Sequence, residues 1–387
     1  MGEQLAEHAA DVPAEHCQAL TRSLRYRPSD VTEPDDVAQV VRLAGEGPVA
    51  AYLALPPALY GPAVTALGEI PLPPGSRVAV EKPFGENLAD AVALDEILAR
   101  TAGAAGEQAV FRVDHVLGMA TVRNMLALRR HDPVLAAVWD AAHIEQIELH
   151  WQEDLALEGR AGYYDRTGAL KDVMQNHMLQ VLCVLALEPP VGAGERELRD
   201  AKAAVLRAAR ASGESRRARY GAGRLRDRSV PAYADEEGVD PDRCTETFAE
   251  MVLELDTPRW TGTRFVLRAG KALAARRKEA VVRFRALEPD GAPTCLHIGI
   301  DGPLDVAVRL TGLAPMTLAG PAPASDLPPY GHVLLDVLEG GSTLSVRGDG
   351  AEEAWRVVEP VLAAWRDGTV PLEEYPAGSD GPPPIGS

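Results

Sequence analysis

Up to about residue 117 the chain alternates short apolar runs with helical patterns, and beyond it the alternation stops; this switch constrains the fold more than any other feature. Residues 37–43 carry helical spacing, 49–55 form a short apolar run, and 57–67 are helical again. Residues 77–80 make a second strand-like run, 89–98 an amphipathic helix and 110–113 a third strand. Strands separated by helices build βαβ units and therefore a parallel sheet. Beyond residue 140, Ile147, Leu149 and Trp151 alternate with Glu148 and His150, the period of a strand. Further strand-like runs lie at 248–255, 264–268, 281–285, 295–300 and 306–310, with few helical patterns between them. They predict a large, mainly antiparallel sheet. The fold class is thus α/β plus α+β. Residues 169–187 are the long exception, a helix apolar at 170, 173, 174, 178, 181, 182 and 185. The tail from Glu373, rich in Pro and Gly, is expected to lie over the surface.

Composition narrows the function classes. With 387 residues, 46% hydrophobic, the chain can bury a large core in two domains or one big one. A formal net charge of −18 argues against nucleic acid or an anionic membrane, which both call for a basic face. No apolar run is long enough to span a bilayer, and Met1-Gly2-Glu3-Gln4 offers no basic region before an apolar core. Cys17, Cys183, Cys244 and Cys295 lack metal-type spacing, so neither a zinc site nor a disulfide scaffold is expected. The expectation is a soluble cytoplasmic protein.

Two motifs carry the chemistry: Phe111-Arg112-Val113-Asp114-His115 and Asp172-Val173-Met174-Gln175-Asn176-His177. An imidazole oriented by a carboxylate is the usual general base near neutral pH. A lone histidine is more often a satisfied core residue. Here it comes with Asp172, Gln175 and Asn176, which share one face of an otherwise apolar helix at i+3 and i+4. Buried polar groups need partners, so such a cluster usually lines a cleft.

Three further segments are ambiguous by position. Lys82, in Glu81-Lys82-Pro83-Phe84-Gly85, follows a strand of the parallel sheet, where such sheets bind ligands; a solvated surface lysine is equally consistent. Lys271, Arg276, Arg277 and Lys278 put four cations in eight residues of an acidic chain. A phosphate could bind there, although a solvated basic face is the commoner fate of such a run. Glu153-Asp154 and Glu158 are either sugar-hydroxyl partners or plain loop residues. Gly45-Glu46-Gly47-Pro48-Val49-Ala50 mimics a dinucleotide fingerprint, but it precedes a strand and Pro48 lacks the amide, so it reads as a helix-to-strand turn.

In order along the chain, Tyr52-Leu53-Ala54-Leu55-Pro56-Pro57, residues 81–85, 111–118, 158–165, 172–177, Trp260 with 264–272, and Ala354-Trp355-Arg356 resemble the glucose-6-phosphate dehydrogenase family. The resemblance runs from about residue 20 to about residue 380. It implies an incomplete Rossmann-like parallel-sheet domain at 1–117. A larger sugar-phosphate-binding and dimerisation domain, mainly antiparallel β-sheet with helices, would follow at 118–387. The implied activity is oxidation of glucose 6-phosphate to 6-phosphoglucono-1,5-lactone with hydride transfer to NADP, in the oxidative pentose phosphate pathway. His177 would be the general base and Asp114 its orienting acid. His115, Lys271 and Arg276 would hold the phosphate, and Glu153 and Asp172 the sugar hydroxyls. Lys82 would reach both sugar and nicotinamide, and Tyr52 would join it in binding the cofactor. A homodimer or homotetramer is implied, without metal.

Two departures from the family pattern stand out. Residues 1–30 read as one helix and a connection ending at a strand-like Leu24-Arg25-Tyr26, with no strand, Gly-x-x-Gly-Asp turn and helix for the pyrophosphate. Either Met1 is an internal start or the chain is shortened, and the sheet should lack its first strands. Met119 and Val116 stand where the family carries a lysine and an aromatic residue. An alternative of another class is a non-catalytic sugar-phosphate-binding relative that regulates a full-length partner.

Overall fold

The computed structural model describes residues 12–190, 192, 194–286, 291, 293–301, 305–309, 316–319 and 327–386, without side chains at 305–309 and 316–319. Helices α1 (Ala14–Ser23) and α2 (Pro34–Leu43) come first. Then β1 (Ala50–Leu53), α3 (Tyr60–Gly68), β2 (Arg77–Glu81), α4 (Leu88–Ala102) and β3 (Val110–Val113) alternate as the spacing predicts. Gly45, at φ 94, makes the helix-to-strand turn before β1. The Leu24-Arg25-Tyr26 segment is not a strand; it has no ladder partner, and Tyr26 is 90% exposed.

The three strands pair in parallel, with Ala51 opposite Val78 and Val78 opposite Val110. One face buries Val78, Val80 and Val110 with Val64 and Leu67 of α3 and Leu94 and Leu98 of α4. Each such side chain contributes roughly 1.5–3 kcal/mol on leaving water. Asn87 fixes the start of α4, its side chain accepting from the Asp90 amide. The other face carries Ala79, Phe111 and Val113.

Helices α5 (Ala120–His131) and α6 (Pro133–Val138) lead to β4 (Ile144–Gln152), and α7 (Ala161–Ala169) follows. The long helix expected at 169–187 is not uniform. Gly168, at φ 69 and ψ 173, breaks α7; Leu170–Met178 winds as a π-helix; and α8 (Leu179–Ala186) completes the run. The Leu179 amide bonds to the Met174 carbonyl five residues back. In this winding residue i+5 joins i+4 beside residue i, which brings His177 next to the side that Asp172 shares with Asn176.

Helix α9 (Glu195–Ala208) and β5 (Ala209–Gly221) come next, with the hairpin β6 (Gly223–Leu225) and β7 (Arg228–Val230). Then follow β8 (Phe248–Leu255), β9 (Arg264–Gly270), β10 (Arg277–Phe284), β11 (Cys295–Gly299), β12 (Asp305–Arg309) and β13 (Met316–Ala319). Leu310, expected at the end of a strand, lies outside the described residues. The chain closes with α10 (Pro329–Glu339), β14 (Ser345–Val346), α11 (Gly348–Arg366) and β15 (Leu372–Pro376).

The larger sheet has the order β13-β12-β11-β10-β4-β9-β8-β5-β15. Among the described residues only β4 with β9 and β5 with β15 pair in parallel in it, so the sheet is mainly antiparallel, as expected. The tail does not simply lie over the surface. It adds β15 to the sheet, buries Tyr375, and runs on to bond Arg268 through the Pro382 carbonyl. Two late elements return to the first sheet: Val333 and Val337 of α10 cover its second face, and β14 pairs antiparallel to β3. Its order is β1-β2-β3-β14, which leaves β1 as an edge among the described residues.

Candidate active site

Asp114 follows the last residue of β3 and caps the turn His115–Gly118, its Oδ1 accepting from the Val116 amide at 3.1 Å. The same oxygen lies 2.5 Å from Nδ1 of His177, which the π-helix carries in from the larger domain. Both are buried, at 1% and 4% exposure. Burial opposes ionisation of Asp114, but the facing His177, with Lys82 behind it, outweighs this and holds the carboxyl at about 2. Since Nδ1 is taken, Nε2 is the nitrogen left to accept a proton. Asn176 holds the segment at this point. Its Oδ1 accepts from the His177 amide at 2.7 Å and its Nδ2 donates to the Lys171 carbonyl, five residues back, at 2.9 Å.

Aromatic rings fix the imidazole. Trp151 of β4 stacks on it at 5.5 Å, and His115 meets it edge-on at 4.6 Å. His115 in turn stacks on Tyr330 of α10 at 5.1 Å. Burial, then the neighbouring His177, pushes His115 down to about 4, so near neutral pH it is an uncharged hydrogen-bonding group. Gly118 permits this packing, because a Cβ there would stand 2.2 Å from the Pro329 carbonyl oxygen at the start of α10.

Of the expected cations, Lys82 lies nearest the pair, and Lys271 and Arg276 stand farther out. Lys82, at the carboxyl end of β2, donates to the Asp172 carbonyl at 2.8 Å and lies 3.4 Å from its Oδ1. The Lys82–Pro83 peptide is cis. Lys271 reaches Glu153 Oε2 at 2.5 Å and sits 5.0 Å over the Tyr164 ring. Arg276 pairs with Asp301 at the solvent edge, with 59% of its side chain exposed. Tyr52 stands slightly apart: its hydroxyl donates to Glu81, and its ring packs against the cluster of Ala79, Phe111, Val113, Val333 and Val337. Asp154 and Glu158, by contrast, are taken up by Arg226 and Arg228.

Sequence reasoning missed Trp151 and Tyr330 as members of this site. Trp151 carries the strand period of a core residue, and Tyr330 stands alone with no pattern around it. Lys278 belongs to the basic run already considered for a phosphate, with no role of its own singled out there. Asp114, His115 and His177 also bring possible ligand atoms within 4.8 Å of one another, which is compatible with a cation.

Oxidation of an alcohol by hydride transfer needs a proton acceptor, and the Asp114–His177 pair beside Lys82, at the carboxyl ends of the parallel strands, puts this chain among the Rossmann-type oxidoreductases. Two family models cover it: "Glucose-6-phosphate dehydrogenase, NAD binding domain" over residues 1–124, and "Glucose-6-phosphate dehydrogenase, C-terminal domain" over 126–295 and 315–385. The chain belongs to the glucose-6-phosphate dehydrogenase family. It is 35% identical to the glucose-6-phosphate 1-dehydrogenase of Treponema pallidum (strain Nichols), over 99% of this chain and 82% of that protein. With the enzyme of Gluconobacter oxydans (strain 621H) the figures are 38%, 86% and 72%. A solved glucose-6-phosphate dehydrogenase in complex with its substrate glucose-6-phosphate matches with TM-score 0.82 at 28% identity, covering 92% of this chain and 79% of that one. Glucose-6-phosphate 1-dehydrogenase from Mycobacterium avium matches with TM-score 0.83 at 32% identity, covering 99% and 86%.

Proposed function

We propose that the chain oxidises the C1 hydroxyl of glucose 6-phosphate, giving 6-phosphoglucono-1,5-lactone. The observation that carries this reading is the buried 2.5 Å contact of Asp114 with His177, set beside Lys82, Asp172, Glu153 and Lys271. His177 takes the O1 proton on Nε2, and Asp114 stabilises the imidazolium that forms. Removing that proton raises electron density at C1, so that its hydrogen can leave with the bonding pair. A base placed this way is worth roughly a hundred- to ten-thousand-fold. Asp172 and Glu153 accept from the sugar hydroxyls. Lys271 and Arg276 hold the phosphate, with neutral His115 donating a hydrogen bond. That anchor lies away from C1, so its binding energy positions the reacting carbon.

NADP is the proposed cofactor, and when bound it supplies the hydride acceptor. The residues present fit its nicotinamide end. Lys82, with 21% of its side chain exposed, stands at the carboxyl end of β2, where doubly wound sheets bind ligands, and Tyr52 orders the adjoining Glu81. Among the described residues no strand, glycine turn and helix precede β1 to hold a pyrophosphate. We place the division between domains at 117/118. Assembly as a homodimer or homotetramer and a cytoplasmic place in the pentose phosphate pathway rest on the family resemblance. The test is the absorbance of reduced nicotinamide with glucose 6-phosphate and NADP or NAD. Turnover that requires the phosphorylated sugar supports the reading; none with either cofactor overturns it.

A further inference from the structure

Lys278 belongs to the basic run whose Lys271 and Arg276 were the expected phosphate ligands, and it faces the same cleft. On β10 it is paired with Trp151 of β4 and shares that residue's face. Its strand neighbours Arg277 and Glu279 lie on the other face and bind each other at 2.5 Å. Lys278 Nζ sits 4.3 Å over the Trp151 ring, the ring that stacks on His177. Its side chain is only 14% exposed.

Two carboxylates flank the ammonium, Asp301 at 3.8 Å and Glu153 at 4.0 Å. Both are beyond hydrogen-bond distance, and each already has a closer cation, Arg276 and Lys271 respectively. Among the described residues, then, three ammonium donors in a mostly enclosed place have no hydrogen-bond acceptor. Burial without acceptors is costly for a cation. Around this ammonium, three cations (Lys271, Arg276 and Lys278) face two carboxylates (Glu153 and Asp301). That surplus suits a dianion such as a phosphate monoester. Burial, opposed by Glu153 but reinforced by Arg276, Lys271 and Lys82, lowers the pKa of Lys278 in the free protein, a cost that an arriving dianion would relieve.

We propose that Lys278 is a further ligand of the substrate's phosphoryl group, donating from the Trp151 side of the cleft. The idea rests on the sugar-phosphate reading above and deepens it. It also supplies a cation to a site in which Met119 replaces an expected lysine.

Lys278→Ala and Lys278→Arg would be compared with the parent protein. We expect Lys278→Ala to raise the KM for glucose 6-phosphate on the order of tenfold or more. The rise should be far smaller for unphosphorylated glucose, and Lys278→Arg should recover most of it. Calorimetric titration of glucose 6-phosphate, which needs no turnover, should show the same loss of affinity. A KM and affinity within twofold of the parent's, or equal rises on both sugars, would overturn this assignment while leaving the dehydrogenase reading intact. If the parent neither turns over nor binds glucose 6-phosphate, both fall together.

Discussion

Lys82 Nζ donates to the Asp172 carbonyl at 2.8 Å and so ties the end of a parallel strand to the π-helix that carries His177. The bond joins the end of β2 to that helix and sets the cation near the Asp114–His177 pair. Lys82→Ala should lower kcat/KM for glucose 6-phosphate by roughly a hundredfold or more, since an ammonium–acceptor bond and a positioning contact are lost together. Steady-state kinetics check this, and a loss below threefold would remove Lys82 from the machinery.

How much of this was legible follows from the residues. The strands β1 to β3 and their helices were readable because each apolar run is short and bounded. The Asp114–His177 pair was readable because polar residues interrupt apolar stretches. The π winding was not, since the apolar spacing of residues 169–187 fits an ordinary helix equally well. Strand β5 was invisible because its arginines mask the pattern: Arg216 finds Glu373 at 3.1 Å and Arg219 finds Glu374 at 3.2 Å, partners supplied by β15 far along the chain. Nor could Ser345–Val346, two residues long, announce itself as a neighbour of β3.

Glu246 anchors the start of the π-helix, its Oε1 accepting from the Leu170 amide at 3.0 Å. Burial pushes its carboxyl up from 4.5 to about 7; the Leu170 and Glu246 amides, then Arg217 and Lys171, oppose this without cancelling it, and Tyr164 is the buried phenol facing it. Because the folded-state value is raised, stability is fully present below about pH 4.5 and is lost as the pH rises through 7. Glu246→Gln keeps an acceptor without the charge. Its stability relative to the parent should therefore improve between pH 5 and pH 8, by on the order of 3 kcal/mol. Denaturant titrations across that range read this directly, and a pH-independent difference would contradict it.

Gly118→Ala places a Cβ against the Pro329 backbone, which has little freedom to retreat. The expected cost is about 1–3 kcal/mol in stability. Activity should fall as well, because α10 carries Tyr330 against His115. Thermal melts and kinetics together would show it, and an unchanged Tm would refute the close approach.

Asp114→Asn keeps the shape of the pair but removes the charge that stabilises the imidazolium. kcat should fall by at least a hundredfold while the KM for glucose 6-phosphate changes little. A KM effect with kcat preserved would make Asp114 a binding group instead.

The most direct measurement is made on His177→Asn. Its rate of nicotinamide reduction with glucose 6-phosphate should drop at least a hundredfold, while calorimetry shows the sugar phosphate still binding within about threefold of the parent. A variant that keeps the parent's turnover would contradict the assignment of His177 as the base.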